Sequence, residues 1–140
     1  MILFEVKARY EKTLENGEQK KVTEPYIVSA MSCTEAEAKV IEELKAYVGG
    51  ELEVNAVKAA GYDEVFSDFD GETFYKVKIW MYMINEVNGF QKKTPCTYLV
   101  KAEDFKTAYD NIMTAMECTM ADYAVASISE TNIVDCLINE

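Results

Sequence analysis

The stretch Asn16-Gly17-Glu18-Gln19-Lys20-Lys21 returns 72 residues later as Asn88-Gly89-Phe90-Gln91-Lys92-Lys93. Asn-Gly is a hairpin signal, because both residues tolerate the positive φ angles that a tight turn between strands demands. Outward from this pair the match continues. Tyr26-Ile27-Val28-Ser29-Ala30 returns as Tyr98-Leu99-Val100-Lys101-Ala102 at the same offset, and Val6-Lys7 returns as Val77-Lys78 at an offset of 71. The second copy therefore carries one extra residue near its hairpin. Towards the end the offset is 71 again, aligning Val54 and Val57 with Val125 and Ile128. Residues 4–66 thus read a second time as residues 75–137, an internal repeat.

Each copy has the pattern of a ββαβ unit. Phe4, Val6, Ala8 and Tyr10 alternate with charged residues, the period of a half-buried strand. The return strand runs from Val22 to Met31, with Pro25 suited to an edge or a bulge because it lacks an N–H. A helix follows, with Thr34 and Glu37 as a capping box and Val40, Ile41, Leu44, Tyr47 and Val48 on its apolar stripe. Gly49-Gly50 is expected to end it in a left-handed conformation. In the second copy Asp104 is the expected cap, and Phe105, Ala108, Tyr109, Ile112 and Met116 form the stripe. Leu52, Val54 and Ala56 then make a third strand, mirrored by Tyr123, Val125 and Ser127. Gly61 falls opposite Asn132, residue types that suit one sharp left-handed bend in each copy, and Glu64-Val65-Phe66 answers Asp135-Cys136-Leu137 as a terminal arm.

The fold expected is α+β, with two main helices and antiparallel or mixed sheet. Repeat 1 spans residues 1–66, an acidic linker 67–72, and repeat 2 residues 73–140. A lone copy is marginal in size, so the two repeats are expected to pack as one pseudo-twofold domain.

Composition narrows the function classes. With 14 basic and 25 acidic residues among 140, the net charge is −11, which disfavours long-range attraction to polyanions or anionic lipid. The absence of histidine removes Ser-His-Asp and Cys-His nucleophile arrangements and His-ligated zinc. No Gly-rich phosphate loop or nucleophile elbow is present. The opening residues alternate too early for a signal peptide, and no apolar run is long enough to span a membrane. Cys33, Cys96, Cys118 and Cys136 lie far apart, and read as reduced, small, buried apolar residues in a cytoplasmic protein. Asp68-x-Asp70-Gly71 suggests a calcium loop, but apolar Phe66 and Val77 occupy positions that would need ligands, so a solvated connector is expected. The acids Glu35, Glu37, Glu42 and Glu43 read as a solvated helix face. No catalytic residue, metal or cofactor is expected.

Two constellations remain. In repeat 2, Trp80, Tyr82 and Ile84 line the second face of the first strand, where repeat 1 carries Arg9, Glu11 and Thr13. Apolar residues on both sides of one strand point to an interface with a protein partner, the other repeat or a second copy of the chain, with a ligand groove or a nucleobase platform as the alternative. The other constellation is the lysine pairs, Lys20-Lys21 and Lys92-Lys93, which share their strands with Tyr26 and Tyr98. Lysine and tyrosine would lie about 20 Å apart at ~3.3 Å per residue, a span suited to single-stranded nucleic acid. The alternative is that lysines protect exposed strand ends while Tyr26, Val28 and Ala30 face the core. An enzyme working through Asp/Glu and Tyr is the third reading.

The run Ala8-Arg9-Tyr10-Glu11-Lys12-Thr13-Leu14-Glu15, with Lys20 to Tyr26, Thr34 to Ala38 and Thr119 to Tyr123, resembles an uncharacterised family, a domain of unknown function common in Bacteroides-type gut bacteria and their mobile elements and phages. The resemblance covers nearly the whole chain. It implies no activity for any residue, and its occurrence in mobile elements tilts expectation only slightly towards nucleic-acid metabolism.

Overall fold

The computed structural model describes residues 2–138. Ten elements follow in order: β1 (Ile2–Thr13), β2 (Gln19–Ala30), α1 (Cys33–Leu44), β3 (Leu52–Ala59), β4 (Glu64–Phe66), β5 (Thr73–Ile84), β6 (Gln91–Ala102), α2 (Phe105–Ala115), β7 (Asp122–Glu130) and β8 (Asp135–Leu137). The protein is α+β, with two helices and two four-stranded mixed sheets. The sheet orders are β3-β1-β2-β8 and β4-β6-β5-β7.

The hairpins behave as their turn residues require. Gly17 and Gly89 have φ of 85° and 71°, and the Oδ1 atoms of Asn16 and Asn88 each accept a hydrogen bond at 3.0 Å from the backbone N–H two residues on. Asparagine here forms a side-chain turn and leaves the left-handed position to glycine alone. The first pairing closes at Thr13↔Gln19 and the second at Ile84↔Gln91, so the loop of the second hairpin is one residue longer.

β3 and β7 each carry a bulge, opposite Lys7/Ala8 and Lys78/Ile79. The extra residue reverses which side chains face the helix. Val57 and Ile128 therefore pack on the cores, in place of the expected Ala56 and Ser127.

Helix ends differ from expectation in the first copy. Ser32, two residues before Thr34, is the N-cap: its hydroxyl accepts from the Glu35 N–H at 3.2 Å, and the Glu35 carboxylate accepts from the Met31 N–H at 2.9 Å. These bonds hold the Glu35 carboxyl below the usual range, the Met31 N–H contributing most and Lys39 adding to it. Asp104 caps α2 as expected, accepting from Thr107 N–H at 2.7 Å. α1 stops at Leu44, whose carbonyl accepts from the N–H groups of Tyr47 and Val48, so Gly49 and Gly50 need no left-handed conformation and have none. Gly61 and Asn132 also lack positive φ; the expected sharp bend is absent.

Two compact units result. The first runs to Gly61 and resumes at Asn132; the second is Tyr62–Thr131. In the first, Phe4, Val6, Ala8, Tyr26, Val28 and Ala30 pack under Ala36, Val40 and Leu44 of α1. In the second, Tyr75, Val77, Ile79, Val100 and Ala102 pack under Ala108, Ile112 and Met116. Ile27, Phe74 and Leu99 are buried on the opposite sheet faces.

These boundaries differ from those expected at residues 66/67 and 72/73. Each arm completes the sheet of the other repeat: β8 pairs parallel with β2, and β4 parallel with β6. The acidic stretch 67–72 accordingly lies inside the second unit. Its acids are exposed, but Phe69 packs on the core and Gly71, with φ of 140°, sits where a Cβ would come within 2.3 Å of the Ala102 carbonyl carbon. Only glycine fits there.

Candidate functional site

The outer ends of the two hairpins, beyond their helices, carry the side chains of interest. On the helix side of the first unit, Tyr10, Lys12, Glu24 and Tyr26 converge because strand parity places all four on one face of β1 and β2. The Tyr10 hydroxyl donates to Glu24 Oε2 and lies 2.9 Å from the Tyr26 hydroxyl. Lys12 Nζ donates to Glu24 Oε1 at 3.2 Å. Burial, and then the bonds to Glu24 and Tyr26, push the Tyr10 phenol far above its ordinary 10.0. Tyr26 is raised as well, by burial and by the charges of Glu24 and Asp135, with the Tyr10 bond opposing. Both phenols are therefore neutral hydrogen-bonding groups, poorly suited to act as bases.

This network borders a cleft of about 760 Å3, whose walls include Tyr10, Tyr26, Leu44, Tyr47, Glu43 and Asp135. The last of these comes from β8. The sequence reading missed the cleft because it placed that arm on the other repeat. A signal was present: Tyr10 and Glu24 share strand parity with Tyr26, and in the second copy their counterparts are Met81 and Cys96.

In the second unit the matching face is apolar. Phe66 lies 5.6 Å from the Tyr98 ring, Tyr123 donates to the Met113 sulfur at 3.9 Å, and Met81 packs on the core. Burial, with the neighbouring Cys96, raises the Tyr98 phenol. Cys33 and Cys118 are exposed, and Cys96 and Cys136 are half-buried. The expectation of buried cysteines is corrected: Cys33 opens α1 and Cys118 follows α2, where side chains reach solvent, and Cys96 and Cys136 lie on β6 and β8.

The opposite face of the second hairpin holds Trp80 and Tyr82, both half-buried, and Ile84, which is exposed. Lys93 Nζ sits 4.0 Å from the centre of the Trp80 ring. Around the tip, Met83, Ile84, Val87 and Phe90 are 57%, 69%, 97% and 74% exposed.

Lys20, Lys21, Lys92 and Lys93 are all exposed, as their strand-end positions suggest. Their expected aromatic companions are not: Tyr26 is 4% exposed and belongs to the first core, and Tyr98 is half-buried against Phe66. The structure therefore joins Trp80 with Lys93, and separates Lys20 and Lys21 from any open aromatic face of Tyr26.

Among the described residues no group of three or more His, Cys, Asp or Glu side chains could hold a metal ion, and no helix is long and apolar enough to cross a membrane. No curated protein and no solved structure matches the chain. Residues 2–139 match a family described as a domain of unknown function, DUF4494, and the chain belongs to that family.

Proposed function

We propose that this chain is a non-catalytic cytoplasmic binding and assembly protein that self-associates through the outer half of its β5–β6 hairpin. The observation that carries this reading is the exposed apolar tip of Met83, Ile84, Val87 and Phe90 beside Trp80 and Tyr82. Exposed apolar residues gathered at one place mark contact surfaces, and tryptophan and tyrosine are the usual anchors of such contacts. Charge favours the same partner. Lys92 and Lys93 make this tip locally basic on a chain of net charge −11, so a second copy offers it a complementary acidic surface.

Size-exclusion chromatography with light scattering tests the reading. The parent chain is expected to show a concentration-dependent dimer or higher assembly, and Ile84→Ser with Phe90→Ser to run as a folded monomer with the parent's circular dichroism spectrum and a melting temperature that no longer depends on concentration. A parent that stays monomeric at all concentrations would remove it.

A second reading is supported by the Lys93–Trp80 stack, a cation beside an aromatic ring as in sites that hold single-stranded nucleic acid. It predicts oligonucleotide binding that weakens steeply with salt and is lost when Lys92 and Lys93 become Ala. No binding at low salt would eliminate it.

A further inference from the structure

The cleft of the first unit has no counterpart chemistry in the second, and nothing in the hairpin reading uses it. Its volume of about 760 Å3 falls in the range of small-molecule sites, which run to roughly 300–1,000 Å3. Its lining combines the rings of Tyr10 and Tyr47 with the nearly buried Tyr26 and apolar Leu44, Val48 and Leu137. The charged side chains that face it are Glu43 and Asp135 against Lys12, and Lys12 is already paired with Glu24 at 3.2 Å. The field there is therefore negative, and the upward push that Glu24 and Asp135 exert on the Tyr26 phenol is its local signature.

We infer that this cleft binds a small organic cation, an ammonium group carried on an apolar body. Tyrosine faces attract such a cation through their quadrupoles, and a carboxylate nearby adds a charge-assisted hydrogen bond if the nitrogen bears protons. The Tyr10–Tyr26–Glu24–Lys12 network holds the floor rigid, so little ordering is needed on binding. Asp135 and Leu137 bring one wall from β8, which ties the occupied cleft to the seating of that arm on β2. In the second unit Glu24 is replaced by Cys96, Lys12 by Met83 and Tyr10 by Met81, so the site is confined to the first.

The test is titration of the full chain, labelled for backbone amide NMR, with phenethylammonium chloride, and in parallel with sodium phenylacetate. Phenethylammonium is expected to give saturating shifts at Tyr10, Tyr47 and Asp135 with a dissociation constant of about 1 mM or below. Phenylacetate is expected to give none there. Asp135→Asn and Tyr47→Ala should each weaken binding about tenfold, the worth of one close cation contact. Both side chains are exposed, so folding is retained, and Glu64→Gln, the counterpart of Asp135 in the second unit, should leave binding unchanged. Shifts at these residues that never saturate, equal shifts with phenylacetate, or full affinity in both variants would each overturn the inference.

Discussion

The two units repeat one another in their buried cores and at their exposed hairpin turns, and diverge on the strand segments between the two. Val6, Val28 and Val40 of the first have their counterparts in Val77, Val100 and Ile112 of the second, all fully buried. Even the bulge recurs between equivalent residues, Lys7/Ala8 and Lys78/Ile79. Beyond the helices the resemblance is limited to the turn, the lysine pairs and the tyrosine shared by Tyr26 and Tyr98. One hairpin carries Tyr10, Lys12, Glu24 and Tyr26 on its helix side and Arg9, Glu11 and Thr13 behind; the other carries Met81, Met83, Cys96 and Tyr98, with Trp80, Tyr82 and Ile84 behind. Packing constrains the near half of each hairpin, because a buried volume change is felt at once. The far half is free to acquire a polar cleft in one copy and an exposed apolar surface in the other.

This contrast can be broken or sharpened by substitution. The largest expected effect is at the shared core: Ile112→Ala should cost about 3 kcal/mol and Val40→Ala about 2 kcal/mol in a denaturant titration, each by opening a cavity under its helix. If the two units share one scaffold, neither should be spared. Next is Tyr10→Phe, expected to cost about 1–2 kcal/mol because Glu24 and Tyr26 each lose a partner. Its pH dependence is more telling. The folded phenols of Tyr10 and Tyr26 are raised above the 10.0 of the free group, so the folded state keeps protons that the unfolded state gives up. The stability they supply is fully present below pH 10.0 and is lost as pH rises beyond it. Melting temperature across that window should fall less in Tyr10→Phe than in the parent, whereas Met81→Leu, at the matching place, should leave the alkaline limb unchanged.

Smaller effects are expected at the helix starts. Ser32→Ala and Asp104→Ala should each cost about 1 kcal/mol by leaving an N–H of the first turn unpaired. Smallest of all, Phe90→Ser should shift stability by less than about 0.5 kcal/mol, because the ring is exposed, while still altering assembly.

The sequence carried the repeat, the hairpins, the longer second loop, the strand and helix order and the Asp104 cap, because each rests on local chemistry with a fixed period or turn requirement. It did not carry the partners of the arms. Glu64-Val65-Phe66 and Asp135-Cys136-Leu137 are three-residue strands, and so short a segment holds nothing that names the sheet edge it will join. The same gap hid the cleft, since Asp135 reaches it only through that exchange. The bulge misplaced Ala56 for Val57 because one inserted residue inverts strand parity without leaving a glycine or proline to mark it. Ser32 was passed over for Thr34 because both are followed three residues later by glutamate. The Trp80 face was legible as unusual, but its role depends on exposure that only the folded chain defines.

Exchange of the arms joins these observations, since it completes both sheets and supplies one wall of the cleft. Interstrand NOEs measured on the intact chain address it directly. The account predicts contacts of Tyr26 and Val28 with Asp135 and Leu137, and of Tyr98 and Val100 with Glu64 and Phe66. Contacts of Glu64 and Phe66 with Tyr26 and Val28 instead would contradict it.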